Sequence, residues 1–359
     1  MDKPIYVSRA FLPDKQTFSG YIDKIFDSHQ LTNNGPLLLE LEEKLKQYLR
    51  IKNLLLCANG TLALMLAIKA LDVSRKKVIV TPFTYVATLT ALLWEGCTPL
   101  FADIDPKTLC ISPKAIEQLL EQHADVAAIV PVHVYGNACD IEKITNLAHT
   151  YHVPVIYDAS HAFNVEFQGN SIFEYGDISI CSLHATKIFH TVEGGYICCH
   201  DKSIEQKIQL LRAFGHINDN YFDIGINAKL SEVHAAMGLS ILPYFPQNIL
   251  DRKKIVDYYD QNISKTKYTR PQYHTSQTLN YAYYPLIFPT ETDLLNTMRL
   301  MSKKQIYPRR YFYPSCNTMP YLQEKASCPI SEDISRRILC LPLYAELEIE
   351  NINKILECL

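Results

Sequence analysis

Two residues in this sequence are placed to work together on an amine or carbonyl substrate, Asp158 and Lys187. Asp158 ends the apolar run Val155-Ile156-Tyr157-Asp158 and is followed by Ala159-Ser160-His161-Ala162. In open α/β sheets, ligands bind outside the carboxyl ends of the strands. An Asp there can instead cap the next helix. Lys187 closes the segment Ile178-Ser179-Ile180-Cys181-Ser182-Leu183-His184-Ala185-Thr186-Lys187. The chain then turns at Glu193-Gly194-Gly195 into a new strand, Tyr196 to Cys199. A lysine becomes a covalent amine when its surroundings lower its pKa. A lysine taken alone is more simply a solvated surface charge. Each of these two follows an apolar strand, which changes that balance. A covalent lysine, with an Asp for a pyridinium nitrogen, is what a protein contributes to pyridoxal phosphate chemistry.

Such chemistry also needs a phosphate cradle. Asn59-Gly60-Thr61 lies where a strand turns into a helix. Helix N-termini offer unpaired N–H groups and partial positive charge, which suit phosphate. Without the other motifs, this turn reads as a plain helix cap. Thr84-Tyr85-Val86-Ala87-Thr88 opens the following helix, and Tyr85 there can stack on a pyridine ring.

The elements that must position these groups alternate between strand and helix. Strands are expected at Leu54–Ala58, Lys77–Val80, Thr98–Ala102, Val126–Val132 and Val153–Tyr157. Helices are expected at Leu62–Leu71, Val86–Trp94, Pro113–Gln122 and Asp140–Tyr151. The strands are short, β-branched and apolar on both sides, so helices must cover both faces of the sheet. The repeated alternation implies an α/β fold with a central, mostly parallel sheet. After about residue 240, prolines and tyrosines crowd the chain. Residues 1–240 are read as a large domain and 241–359 as a smaller C-terminal α+β domain, joined by a helix around Ile241–Tyr259.

Composition excludes several classes. The chain has 359 residues, 48% hydrophobic and 20% charged, which fits a folded globular protein. The net charge of −3 leaves no footprint for nucleic acid and no polybasic membrane patch. No stretch reaches the length of an apolar membrane helix, and the start of the chain lacks a signal-peptide core. A cytoplasmic location is therefore expected. The 11 cysteines form no C-x-x-C pair, which argues against a metal site and a disulfide framework. They read as buried thiols in a reducing compartment; Cys57, Cys181 and Cys198 read as sheet packing, and Cys316 alone leaves a functional reading open.

Together with Leu31-Thr32-Asn33-Asn34-Gly35-Pro36, Pro131-Val132-His133-Val134-Tyr135-Gly136 and Gly225-Ile226-Asn227-Ala228-Lys229 before Glu232-Val233-His234-Ala235-Ala236, these segments resemble the sugar aminotransferases of the DegT/DnrJ/EryC/StrS family. The resemblance covers nearly the whole chain and implies the aspartate-aminotransferase fold (pyridoxal phosphate fold type I). It implies pyridoxal 5'-phosphate as cofactor, a dTDP-sugar and L-glutamate as substrates, and amination of a 4-keto-6-deoxy sugar. Amination at carbon 3 and a non-catalytic relative are the alternatives. Lys187 would carry the cofactor, Asp158 would keep its ring nitrogen protonated, and Tyr85 would stack on the ring. His161 would meet the phenolic oxygen, and Gly60, Thr61 and Ser182 would bind the phosphate. Asn227 would reach the phosphate of a second subunit, so a homodimer with shared sites is expected. Thr32, Asn33, Tyr307, Arg309 and Tyr313 are the candidates for sugar-nucleotide contact, with Arg310 an alternative cation. Many relatives carry Asn-Tyr-Arg at 227–229 and a His where Pro314-Ser315-Cys316 stands here. Relatives with His in place of the lysine act as dehydratases, and Lys187 argues against that outcome. Products of such enzymes commonly enter bacterial surface polysaccharide such as O-antigen.

Overall fold

The computed structural model describes residues 3–359; Met1 and Asp2, part of the start read as leaderless, lie outside the described residues. After the short strand β1 (Ile5–Tyr6), helices α1 (Lys15–Ser28) and α2 (Pro36–Leu49) precede the sheet. The sheet then builds from β2 (Leu55–Cys57), β3 (Lys77–Val80), β4 (Thr98–Phe101), β5 (Val126–Val130) and β6 (Ile156–Asp158). These alternate with α3 (Gly60–Ala70), α4 (Val86–Trp94), α5 (Pro113–Gln122) and α6 (Ile141–Tyr151). A small hairpin, β7 (Glu166–Phe167) and β8 (Asn170–Ser171), leads to β9 (Ile178–Ser182) and β10 (Gly195–Cys199).

Strand β3 pairs in parallel with β4 and β5, and β6 pairs in parallel with β9. Parallel bridges Ile129–Val155 and Val132–Asp158 join the two halves. Strand β10 runs antiparallel to both β9 and β2. The order is therefore β4-β3-β5-β6-β9-β10-β2, with β10 alone reversed. Successive side chains on a strand face opposite ways. Val78 and Val80 join one apolar cluster with Leu66, Leu89 and Ile208, while Ile79 joins the other with Leu45, Ile116 and Ile144. The sheet is thus buried on both faces by helices. Its β2 edge is closed by charge: the buried Glu42 carboxylate accepts the Leu56 N–H (2.8 Å) and pairs with buried Arg212 (3.2 Å).

Expected and observed boundaries differ where proline intervenes. Strand pairing stops short of Pro131 and Pro154 because neither can donate to a ladder, yet their carbonyls still accept from Asp158 (2.9 Å) and Ile129 (3.0 Å). Helix α3 starts at Gly60, two residues before the expected Leu62, because the Asn59 side chain accepts the Leu62 N–H at 2.9 Å. The helix expected at Ile241–Tyr259 starts later, at Phe245, because Ile241 ends a separate helix. After α7 (Lys202–Leu211) and the hairpin β11 (His216–Ile217) and β12 (Asn220–Tyr221), α8 spans Glu232–Ile241. A single 3₁₀ turn holding Pro243 separates it from α9 (Phe245–Asn262).

A third apolar cluster gathers the rest. It joins Tyr259 of α9, Leu286 of β13 (Tyr284–Ile287), Met301 of α10 (Glu291–Lys303), Ile306 of β14 (Ile306–Tyr307), Leu339 of β15 (Ile338–Leu341) and Ile355 of α12 (Ile349–Leu356). Ile5 packs into the same cluster, since β1 pairs in parallel with β14. Helix α11 (Pro329–Arg337) lies between, its first N–H groups at Ile330 and Ser331 held by Asp103.

His133, fully buried after β5, stacks on Tyr157 with ring centroids 4.6 Å apart. Its Nδ1 accepts the Cys139 N–H, and its Nε2 has no hydrogen-bond partner. Burial pushes its pKa down from 6.5 to about 3. Below pH 6.5 the unfolded chain takes up a proton at this site that the folded chain refuses. Stability from this residue is whole above pH 6.5 and drains away toward pH 3. His133→Asn keeps an acceptor for Cys139 but removes the titration. Between pH 6 and 4 the wild type should lose about 1.4 kcal/mol per pH unit more than the variant. Denaturant titrations at several pH values measure this; parallel pH profiles would contradict the assignment.

Candidate active site

The carboxyl ends of β3, β6 and β9 open into a cavity of about 610 Å³. Its walls include Gly60, Thr61, Tyr85, Asp158, His161, Ser182, Lys187 and Arg309, so eight of the sequence candidates converge on one place. Asp158 is the last residue of β6 and is buried. Its Oδ2 accepts the Thr88 hydroxyl at 2.7 Å and its Oδ1 accepts the Ser160 N–H at 3.0 Å. Lys187 follows β9 in a loop that folds back on itself: Leu183 N–H donates to Gly194 O, Thr191 N–H to Leu183 O, and Ala185 N–H to Val192 O. The lysine is partly buried in the cavity. Burial lowers its pKa below the ordinary lysine value, while the Asp158 carboxylate pulls the other way.

His161, three residues after Asp158, is buried with its Nδ1 accepting the Tyr135 N–H at 3.3 Å. Burial, and then the Lys187 charge, drive its pKa well below 6.5, so the ring is neutral. With Nδ1 accepting, Nε2 carries the proton and is the donor. The His161 ring lies nearly parallel to Phe312, with centroids 5.5 Å apart, and Tyr283 meets its edge at 4.9 Å. Tyr85, at the start of α4, stands half-exposed with its ring centroid 6.5 Å from that of Phe312.

One end of the cavity is built for an anion. Gly60 opens α3, where the first-turn N–H groups have no intrahelical acceptor. Leu62 N–H is taken by Asn59, leaving the Gly60 and Thr61 turn facing the cavity. The approach is close: a Cβ on Gly60 would lie 2.8 Å from Ser182 Cβ. Gly195, paired with both Cys57 and Ser182, lies under this turn, and a Cβ there would meet Asn59 C at 2.6 Å and Gly60 N at 2.8 Å.

Five candidates lie outside the cavity in the single chain. Tyr307 stacks on Tyr6 at 5.4 Å because β14 pairs with β1. Tyr313 lies under the Arg310 guanidinium, 3.5 Å from its ring centroid. Thr32 and Asn33 sit on an exposed loop pinned by buried Glu232, which accepts the Leu37 and Leu38 N–H groups at 2.8 and 2.9 Å. Gly35 is required there, since a Cβ would come within 2.5 Å of Glu232 Cδ. Asn227 is exposed, and its Oδ1 accepts from Lys229 Nζ at 2.7 Å. Of the two late arginines, Arg310 is engaged by Glu291 (2.7 Å) and the Arg336 carbonyl (2.8 Å). Arg309 is exposed on the cavity wall. Cys316 is corrected to a packing residue: it is buried, and its thiol donates to the Thr84 carbonyl at 3.4 Å.

Thr88, Tyr283, Tyr311, Phe312, His184 and Glu193 line the cavity without having been singled out for it. The Thr84–Thr88 spacing was the one available signal, since i and i+4 share a helix face. His184 and Glu193 share the loop of Lys187, while Tyr283, Tyr311 and Phe312 are brought in by a distant segment.

The residues fit pyridoxal phosphate. A partly buried amine with a lowered pKa, a buried carboxylate, a half-exposed aromatic, a neutral imidazole donor and a glycine-floored helix N-terminus share one cavity.

Comparison with known proteins agrees. The profile of the DegT/DnrJ/EryC1/StrS aminotransferase family matches residues 13–359. The chain is 38% identical to a dTDP-4-amino-4,6-dideoxy-D-glucose transaminase of Shigella dysenteriae, covering 97% of this chain and 96% of that one. It is 35% identical to an Escherichia coli protein of the same name, over 100% and 98%. The crystal structure of DesI with its TDP-sugar product superposes with a TM-score of 0.91 at 28% identity, covering 100% of this chain and 92% of that one.

Gly195→Ala should displace the Asn59–Gly60 turn and weaken pyridoxal phosphate binding about ten- to hundred-fold, the size of an overpacking cost of ~1–3 kcal/mol. Gly20→Ala, in open space on α1, should leave affinity unchanged. Fluorescence titration of the cofactor into both variants measures the difference; equal affinities would contradict the cradle.

Proposed function

The chain belongs to the DegT/DnrJ/EryC1/StrS aminotransferase family, and we propose that within it the protein moves the amino group of L-glutamate to carbon 4 of dTDP-4-keto-6-deoxy-D-glucose. The products are dTDP-4-amino-4,6-dideoxy-D-glucose and 2-oxoglutarate. The observation that carries this reading is the Lys187 amine sharing one cavity with buried Asp158.

Lys187 would hold pyridoxal phosphate, with its phosphate at Gly60, Thr61 and Ser182 and its ring between Tyr85 and the opposite wall. When bound, the cofactor supplies an aldehyde that accepts the amine and a ring that accepts an electron pair. The work of the chain is positional and protonic. Asp158 holds positive charge at the ring nitrogen. His161 donates from Nε2 toward the phenolic oxygen. Lys187 Nζ, its basicity reduced by burial, takes the Cα proton from the donor and later delivers one to carbon 4 of the sugar. Arg309, on the wall beyond Tyr311, offers a fork of donors to an anionic group of the substrate. With a net charge of only −3, capture of a nucleotide diphosphate rests on such placed groups.

A homodimer with shared sites accounts for the candidates left outside the cavity. Large apolar side chains stand exposed along the β11–β12 hairpin and its exit: Ile217 (60%), Tyr221 (78%), Phe222 (64%) and Ile224 (81%). Asn227 follows directly. A second copy would cover that surface and bring Asn227 toward the neighbouring phosphate. All eleven cysteines are free thiols, and no helix of the described residues is long and apolar enough to cross a membrane. Both fit an enzyme of the cytoplasm that supplies amino sugar for surface polysaccharide.

Incubation with dTDP-4-keto-6-deoxy-D-glucose, L-glutamate and pyridoxal phosphate should yield a sugar aminated at carbon 4 by NMR. An amino group at carbon 3, or none, would overturn the reading. Lys187→Ala should form no product. Arg309→Ala should raise KM for the sugar nucleotide about ten- to hundred-fold, as expected for one charge-assisted contact, while Arg310→Ala should leave KM nearly unchanged. Ile224→Asp should convert the dimer to monomer in sedimentation; a wild-type monomer would contradict the shared site.

A further inference from the structure

We propose that Thr88, backed by Thr84, is a positioning residue for the reaction: a buried hydroxyl relay that aims and polarises the Asp158 carboxylate. The proposal rests on the function just described, because it concerns how Asp158 meets a ring nitrogen. Three observations carry it.

The first is distance and burial. Thr84, Thr88 and Asp158 are all buried, with Thr84 Oγ1 2.8 Å from Thr88 Oγ1 and Thr88 Oγ1 2.7 Å from Asp158 Oδ2. The second is direction. A hydroxyl has one proton. Thr88 gives its proton to the carboxylate, so the Thr84–Thr88 bond must run from Thr84 O–H to Thr88 O. The relay is polarised one way, toward Asp158, and each donor strengthens the next.

The third is what Thr88 forgoes. A helical Thr commonly turns its hydroxyl back onto the carbonyl four residues earlier. For Thr88 that carbonyl is Thr84 O, which instead accepts the Cys316 thiol at 3.4 Å. Cys316 is itself held there by its N–H, which donates to Pro82 O at 2.8 Å. The late segment thus gives the local acceptor a partner of its own, while the Thr88 hydroxyl is spent across the sheet on β6.

The consequence is a two-point hold on Asp158. Oδ2 takes the Thr88 hydroxyl, Oδ1 takes the Ser160 N–H, and each oxygen keeps a further lone pair for the cavity. The carboxylate plane cannot rotate without breaking one of these bonds. The hydroxyl also draws negative charge from Oδ2, which sets how strongly the carboxylate would act on a ring nitrogen.

The test compares Thr88→Val, which has the shape of threonine without its donor, with Thr88→Ser, which keeps the donor. Each is loaded with pyridoxal phosphate. In Thr88→Val, kcat should fall about ten- to hundred-fold, the loss of one hydrogen bond to a charged group, with KM for glutamate changed less than three-fold. The pH midpoint of the near-visible absorbance should move upward, and Thr88→Ser should restore both values. Thr84→Ala should shift the midpoint the same way by a smaller amount. If Thr88→Val matches wild type in kcat and midpoint, the relay is refuted. It is also refuted if Val and Ser are impaired alike with lowered melting temperatures, since that is a packing effect. A wild-type protein that gains no near-visible absorbance with the cofactor overturns the underlying function, and is told apart by failing before any variant is made.

Discussion

The structure turns on one opposition of charges, an amine and a carboxylate held apart from bulk water at the carboxyl ends of neighbouring parallel strands. Burial lowers the proton affinity of Lys187, and the Asp158 carboxylate raises it. The two influences act on the same amine, so its basicity is set by how deeply the cavity excludes water and how firmly Asp158 is fixed. Both depend on the sheet. Strands β6 and β9 are adjacent and parallel, with Asp158 opposite Ile180, so Asp158 and the Ser182–Lys187 segment must leave at the same edge. A one-residue slip would send Asp158 to the other face.

The reversed strand β10 follows from the same need. The loop after Lys187 returns directly as an antiparallel neighbour, which places Gly195 against the Asn59–Gly60 turn. One continuous stretch, Ser182 to Gly195, therefore carries the amine and lies against the Asn59–Gly60 turn. The opposite wall comes from far away. Tyr283, Arg309, Tyr311 and Phe312 arrive from the C-terminal elements, which pack as their own cluster through Leu286, Met301 and Leu339. Phe312 is the meeting point, since its ring faces His161 and also touches Tyr85 and Phe83. The Lys187 and Asp158 side of the cavity thus comes from the sheet, and the facing wall from the C-terminal elements.

What could be read from the sequence was what local pattern decides. Lys77–Val80, Val86–Trp94 and Pro113–Gln122 fall where periodicity and proline placed them. Asp158, Lys187 and Gly60 are legible because each ends or closely follows a strand of its own, and the edge of an α/β sheet does the rest. Thr88 was passed over because its meaning lies in Asp158, 70 residues on. Tyr307 and Tyr313 lay in the right motif but face elsewhere. Pairing of β14 with β1 turns Tyr307 onto Tyr6, and Arg310 claims Tyr313. No local rule distinguishes Arg309 from Arg310; only the position of Glu291 does.

The claim on which all of this stands is that Lys187, among the chain's lysines, is the amine that binds the cofactor. Borohydride reduction of the pyridoxal phosphate-loaded protein, followed by digestion and mass spectrometry, tests it at the bond itself. The account predicts one pyridoxyl-phosphate adduct per chain, on the peptide containing Lys187. An adduct on another lysine, or none, would contradict it.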